Sequence, residues 1–430
     1  MPDHKNSSTS FSALDRQKEI FVNGLSHQRP LVPLSFSELE AKAKSVMSKK
    51  AFAYVAGGAG NGSTMERNRS AFHEWQILPR MLKDVSVRDT SIELFGRKLP
   101  SPFLLTPIGV SELAHPQADI AVAKAASKLK VPMIFSNQAS FPMEKVAQEM
   151  GDSPRWFQLY WSKSDELVAS LARRAEACGC EVIVVTLDTT MLGWRVEDLE
   201  LGYLPFLQGL GIAQYTSDPV FNKIMDEINE ADSVALKPPI TINTIRNIIG
   251  LMRRYPGGFF QNIKTKRPLT AVRTFINIYS RPSLTWDKIP FLRKQTKLPI
   301  LLKGIIHPDD ARRAIDIGVD GIIVSNHGGR QVEGSVSSIE MLPEIIKTVD
   351  DKIPTLIDSG IRTGSDMFKA IALGAKAVCL GRPWVYGLAL EGEAGVDAVL
   401  KNLMADFELT MGLAGCKSVS EIDKKMLRKK

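Results

Sequence analysis

The chain has 430 residues, 44% hydrophobic and 24% charged, with a formal net charge of +8. That length suits one large core or two ordinary domains, and the composition excludes a disordered or collagen-like chain. No apolar run reaches the roughly 18 residues that a membrane-spanning helix needs.

The opening MPDHKNSSTS holds no apolar stretch of signal type, and the closing KKMLRKK is no peroxisomal tripeptide. The expected compartment is the cytoplasm. Cys178, Cys180, Cys379 and Cys416 fit neither a disulfide framework nor zinc spacing, so buried reduced thiols and no metal are expected. The positive charge is local. Ser233 to Trp286 contains nine Lys or Arg and no Asp or Glu, which leaves the rest nearly neutral. No nucleic-acid partner is expected.

Residues 1–30 are polar and aperiodic and read as a flexible N-terminal arm. In SFSELEAKAKSVMSKKAFAYVAGGAG, Ser35 or Ser37 can cap a helix that the Gly57-Gly58-Ala59-Gly60 cluster ends. From Ser101 a pattern repeats: a short apolar run, a polar or glycine break, then a helical stretch such as SDELVASLARRAEACG. The runs are FLLTPIG (103–109), VPMIFSN (131–137), RWFQLY (155–160), EVIVVTLD (181–188), PILLKG (299–304), DGIIVSNH (320–327), PTLIDSG (354–360) and AVCLGRP (377–383). Short runs rich in Val, Ile and Leu suit parallel strands buried on both faces. Eight such units predict an α/β fold of the (β/α)8 TIM barrel type. The barrel domain would span 31–416, with an N-terminal helical segment, an insertion or lid at about 196–290 after strand 4, and a basic C-terminal tail at 417–430.

Barrel enzymes carry reactive groups at the C-terminal ends of their strands. Those ends read Pro107-Ile108-Gly109, Ser136, Gln158 with Tyr160, Asp188 with Arg195 beyond it, Lys303, Asn326-His327, Asp358-Ser359-Gly360 and Gly381-Arg382. In DSGIRTGSD and LGRP, glycines allow close backbone approach, and Arg362 and Arg382 can pair with a phosphate. The alternative is two glycine turns with solvated arginines. In SNHGGRQ, His327 can accept a proton near neutral pH, and Arg330 can hold a carboxylate by two parallel hydrogen bonds. A structural histidine is the alternative. Lys303, at a buried strand end, requires a partner, and none follows it in sequence.

Together SNHGGRQ, FQLY, TLDTTMLGWR, LPILLKG, IDSGIRTGSD and LGRP resemble the FMN-dependent 2-hydroxy-acid oxidising family, from about Phe36 to Cys416. The resemblance implies that His327 takes a proton from the substrate and that Asp188 pairs with its imidazole. It implies that Arg195 and Arg330 clamp the substrate carboxylate and that Tyr54 and Tyr160 hydrogen-bond the substrate. Lys303 would sit by the flavin N1–O2 edge. Pro107, Ile108, Gly109, Ser136, Gln158, Thr186 and Ser325 would contact the ring or ribityl chain. Asp358, Ser359, Gly360, Arg362, Gly381 and Arg382 would bind the ribityl-phosphate end. Aromatic packing for the tyrosines and a turn cap for Asp188 are the bland alternatives.

Within the family, Gly109 and the wording PRWFQLYW and GIAQYTSDPVF look most like lactate 2-monooxygenase. That branch oxidises L-lactate with O2 to acetate, CO2 and water, and a missing methyl at Gly109 would leave room for oxygen. The alternatives are an oxidase releasing the 2-oxo acid and H2O2, and a membrane-associated dehydrogenase. A binding barrel without turnover would require a broken site, which the residues do not suggest. The family implies a homotetramer or homo-octamer. For the basic 233–286 stretch, a solvated lid and subunit contact is the preferred reading. Contact with an anionic membrane and steering of the anionic substrate are the alternatives.

Overall fold

A computed structural model describes residues 12–227 and 239–430. Eight parallel strands close into a barrel in chain order. They are β1 (Phe103–Leu105), β2 (Met133–Phe135), β3 (Arg155–Leu159), β4 (Ile183–Thr186), β5 (Ile300–Ile305), β6 (Gly321–Val324), β7 (Thr355–Asp358) and β8 (Ala377–Leu380). Each of the eight apolar runs supplies one strand, and β8 closes on β1 through Val378 to Phe103.

Alternation along the strands builds the interior. Leu104, Ile134, Trp156, Val184, Leu301, Ile323, Leu356 and Cys379 point inward and form one apolar cluster. Their neighbours Phe103, Met133, Phe157, Ile183, Leu302, Ile322, Ile357 and Val378 point outward under the helices. A hairpin of Ile92–Leu94 and Arg97–Leu99 joins the inner cluster, with Phe95 edge-on to Trp156. Two residues further along, seven of the eight inward positions turn polar, Thr106, Ser136, Gln158, Thr186, Lys303, Ser325 and Asp358, and the eighth is Gly381. The barrel therefore carries a polar layer directly above an apolar one.

Three segments differ from the sequence reading. Residues 12–24 are not a loose arm. Ala13–Gly24 is a helix capped by Ser12, and the Ala13 N–H donates to the buried Glu408 carboxylate at 2.8 Å. Arg16 adds bonds to Asn402 from the same helix. Residues 1–11 lie outside the described residues. The single helix expected before Gly57 is two, Phe36–Val46 and Lys49–Ala56. Ser48 breaks it, because its hydroxyl accepts from the Ala51 N–H and starts a new helix. Near the C-terminus, Leu427–Lys429 pairs antiparallel with Trp75–Ile77 rather than trailing free.

The insertion separates β4 from β5. Beyond residues 228–238, which are outside the described residues, it forms helices Ile242–Arg254, Phe259–Thr265 and Arg267–Ile278. Among the described residues, no helix is long and apolar enough to cross a membrane.

Candidate active site

The strand ends open into one cleft. Of the residues expected there from sequence, Tyr54, Pro107, Ile108, Gly109, Tyr160, Arg195, Lys303, His327, Arg330, Asp358, Ser359, Gly360, Arg362, Gly381 and Arg382 line it. Asp188, Ser325, Ser136, Gln158 and Thr186 are not in this lining; Asp188 and Ser325 bond His327, Ser325 also Lys303, Ser136 the Gln138 N–H, and Gln158 joins Ser136 to Thr186. Sequence reasoning missed Thr106, Gln138, Thr189, Cys379 and the aromatic residues Phe206 and Tyr279, which also line the cleft. Thr106 obeys the same inward alternation as Lys303 and was findable. Phe206 and Tyr279 come from the insertion, where no repeat announces them.

His327 follows β6 with a left-handed backbone, φ 59°. Its N–H is held by Ser325 Oγ at 3.0 Å, and the Gly328 N–H by Ser359 Oγ at 2.9 Å. Nδ1 lies 2.8 Å from Asp188 Oδ1. Burial pushes the imidazole below its ordinary range, and the Asp188 carboxylate opposes that shift. For Asp188, burial raises the pKa, but the charges of His327 and Lys303 outweigh it and the net shift is downward. The carboxylate is thus ionised and accepts the Nδ1–H, which leaves Nε2 as the basic nitrogen.

Lys303, only 3% exposed, places Nζ 2.9 Å from Asp358 Oδ2. Ser325 Oγ accepts from the same Nζ at 2.9 Å and donates to Asp358 at 2.8 Å, while Thr106 donates to the other carboxylate oxygen at 3.2 Å. The missing partner of Lys303 is therefore on β7. Asp358 was expected at the phosphate end; in the folded chain its charge is committed to the lysine, because two buried groups of opposite sign stabilise each other. On the other side of the polar layer, Gln158 accepts from Ser136 and donates to Thr186.

Four guanidiniums share the cleft. Arg195 and Arg330 both lie over the Tyr54 ring, at 6.0 and 5.2 Å from its centroid. Arg330 donates to Gly57 O, and Arg195 to Arg330 O and Gln331. Arg382 donates to the carbonyls of Val55, Gly57 and Gly328, and Arg362 to that of Ile361. Among the described residues, none of the four has a carboxylate at ion-pairing distance. Burial, reinforced by neighbouring Arg195, pushes Arg330 down to about 9, and burial with neighbouring Arg382 pushes Arg362 down to about 10. Burial likewise lowers Arg382. Clustered cations without carboxylate partners call for bound anions. Burial, then the Asp188 charge, raises the Tyr160 phenol to about 12, so it stays a hydrogen-bond donor.

Gly109 departs from its sequence reading. A Cβ there would stand 2.6 Å from both Cβ and the carbonyl oxygen of Gln138. The space that the missing methyl leaves is filled by protein.

A family model described as FMN-dependent dehydrogenase matches residues 43–429. The chain belongs to the FMN-dependent dehydrogenase family. The match reaches into the segment read from sequence as a basic tail. An L-lactate oxidase of Lysinibacillus sphaericus is 39% identical over 93% of this chain and 94% of its own length. An FMN-dependent alpha-hydroxy acid dehydrogenase of Penicillium citrinum is 39% identical over 96% and 95%. The crystal structure of mandelate oxidase with (S)-4-hydroxymandelic acid superposes with a TM-score of 0.76 at 34% identity, covering 93% of this chain and 99% of that one. The chain is thus an oxidoreductase of the FMN-dependent 2-hydroxy-acid oxidase and dehydrogenase family.

The residues present fit FMN. Arg362, whose buried Nε lacks a partner, and Arg382 offer cations for a phosphate in the cleft lining. Lys303 offers a buried charge in the same lining. Ser359 and Gly360 turn through left-handed φ of 86° and 89°, and a Cβ on Gly360 would meet Asn68 O at 2.1 Å.

Proposed function

We propose that this protein oxidises a small L-2-hydroxy acid, L-lactate first, to the 2-oxo acid, with O2 as acceptor and H2O2 as the second product. The observation that carries this reading is the convergence of His327, Arg195 and Arg330 on one cleft beside Tyr54 and Tyr160. The second guanidinium pair, Arg362 and Arg382, is left over for the cofactor phosphate. Similarity to a protein named L-lactate oxidase supports the substrate size. FMN held by these residues supplies the acceptor for the two electrons leaving the hydroxyl-bearing carbon.

The protein's own groups do the rest. Arg195 and Arg330 bind the substrate carboxylate, whose charge their buried setting favours. Tyr54 and Tyr160 orient it by hydrogen bonds. His327 Nε2 accepts a proton, and Asp188 stabilises the imidazolium that forms. Lys303 would hold the flavin's pyrimidine edge, Arg362 and Arg382 its phosphate, and Pro107, Ile108 and Gly109 its ring. The acetate-forming outcome loses its chief support, since Gln138 occupies the place beside Gly109. The deciding experiment is anaerobic flavin reduction across a panel of 2-hydroxy acids, followed by product analysis on readmitting air. Failure of every L-2-hydroxy acid to bleach the flavin refutes the reading, and acetate in place of 2-oxo acid refutes the oxidase outcome.

One observation favours a second reading, a membrane-docked dehydrogenase. Ile240, Ile242 and Phe260 are 88%, 74% and 83% exposed within a segment, 239–286, that holds Lys and Arg but no acidic residue. Exposed apolar side chains among cations suit an anionic bilayer surface. Absence of co-sedimentation with phosphatidylserine vesicles at low salt removes this reading.

A further inference from the structure

Gln331, the last residue of SNHGGRQ, is neither base nor carboxylate clamp nor flavin ligand. Its amide is nevertheless fully used. Nε2 donates to the backbone oxygens of Asp188 at 2.6 Å and Met191 at 2.8 Å. Oε1 accepts from Arg195 Nη2 at 3.0 Å and from the Gly193 N–H at 3.4 Å. Two donors and two acceptor sites are all that a primary amide possesses. All four bonds go to one segment, 188–195, which follows β4.

That segment carries Asp188 at its start and Arg195 at its end, with Met191 and Leu192 facing the cleft between them. It is pressed against the residues on either side of the amide. A Cβ on Gly193 would stand 2.5 Å from Arg330 O and 2.7 Å from Gln331 O. Arg195 is gripped twice, by Gln331 Oε1 and, through Nε, by Arg330 O at 3.3 Å. Among the described residues its Nη1 has no hydrogen-bond partner.

We propose that Gln331 is a positioning residue for substrate affinity: it latches the segment after β4 and aims the Arg195 guanidinium at the bound carboxylate. This rests on Arg195 being a carboxylate clamp. Only an amide serves. A carboxylate of the same shape has no N–H for the two carbonyls, and its charge would pair with Arg195 in competition with the substrate. An isosteric apolar side chain makes none of the four bonds.

The test uses the flavin-loaded enzyme and four variants: Arg195→Met, Gln331→Leu, the double variant, and Gln331→Glu. The readouts are KM for L-lactate, Ki for pyruvate, the limiting rate of anaerobic flavin reduction, and flavin content. Arg195→Met is expected to raise the pyruvate Ki by roughly tenfold or more, as loss of a charged hydrogen-bond pair does. Gln331→Leu should raise it roughly fivefold or more, with a smaller change in limiting rate, and the double variant should be no worse than Arg195→Met within about threefold. A Ki within about twofold of wild type in Gln331→Leu, or multiplying effects in the double variant, overturns the proposal while leaving the clamp intact. An unchanged Ki in Arg195→Met instead overturns the clamp itself. Should Gln331→Leu fail to hold flavin, Gln331→Glu decides. Its pyruvate affinity should recover as pH falls, because protonation removes the competing charge and restores one donor. A Ki that does not recover overturns the proposal.

Discussion

Asp188 Oδ1 stands 2.8 Å from His327 Nδ1, although the two residues are 139 positions apart. The barrel brings them together from the ends of β4 and β6, with β5 and its Lys303 between. The contact fixes the tautomer. A carboxylate held ionised accepts at Nδ1, so the proton-accepting nitrogen can only be Nε2.

Replacing His327 tests that assignment. His327 adopts φ 59°, a left-handed conformation that asparagine tolerates better than alanine or glutamine. His327→Asn should therefore keep the fold and the flavin. Its anaerobic reduction by L-lactate should slow by about 10²- to 10⁴-fold, the range general-base groups contribute. Stopped-flow absorbance measures it, and reduction at the wild-type rate would refute the base.

The pH profile follows from the same pair. The base must be neutral, so kcat/KM should fall as pH drops through its pKa. Burial moves that pKa below the ordinary 6.5, and Asp188 holds it up against burial. In Asp188→Asn the supporting charge disappears, so the acid limb should move to still lower pH while the plateau rate falls. Steady-state kinetics between pH 4 and 8 check both signs (roughly the range where imidazole titrates). An acid limb that moves upward in the variant would contradict this role for Asp188.

Period-2 alternation explains how much of the site was legible. Once a run such as LPILLKG is read as a doubly buried strand, Leu301 and Lys303 must share a face, and the polar residue must sit at the mouth. The same step locates Ser136, Gln158, Thr186, Ser325 and Asp358, and it would have given Thr106. Partnerships between strands were not legible. Lys303 and Asp358 meet only because β5 and β7 flank β6, and the barrel's curvature brings their inward side chains within 2.9 Å. The insertion was least legible, since Phe206 and Tyr279 reach the cleft from a region without a repeat. Helix Ala13–Gly24 escaped because its polar hold on the body runs to Glu408 and Asn402, 395 and 386 residues away from their partners Ala13 and Arg16.

The Lys303–Asp358 pair predicts a stability signature. Burial lowers the Lys303 pKa, but the Asp358 and Asp188 charges raise it on balance. Burial raises Asp358, and Lys303 reverses that. A raised lysine stabilises the fold until pH climbs through its folded pKa; a depressed aspartate does so until pH falls through its own. The pair therefore contributes across the range between the ordinary values, 3.8 and 10.5. Lys303→Met leaves a buried carboxylate unpaired and should cost about 3–5 kcal/mol at neutral pH. The stranded Asp358 then titrates above its unfolded pKa, so the deficit should shrink on acidification. Urea unfolding at pH 7 and pH 5 shows it, and a deficit that grows in acid would rule the pairing out as its source.

Gly109 separates two accounts of the products. If its missing methyl made room for oxygen, Gly109→Ala would leave stability alone and change only what is released. The geometry argues otherwise. The added carbon would lie 2.6 Å from Gln138 Cβ and O, and 3.2 Å from Ser136 Oγ. Retreat is hard, because Ser136 Oγ already accepts from the Gln138 N–H at 3.1 Å and bonds Gln158. Gly211 presses on the same carbonyl, where its own Cβ would stand 3.1 Å away. Overpacking of this kind costs roughly 1–3 kcal/mol. Gly109→Ala should therefore lower the melting temperature and loosen flavin, with pyruvate and H2O2 the products both before and after substitution. A variant as stable as wild type that turned acetate into pyruvate would restore the oxygen pocket and overturn close packing against Gln138 as the reason for glycine at this position.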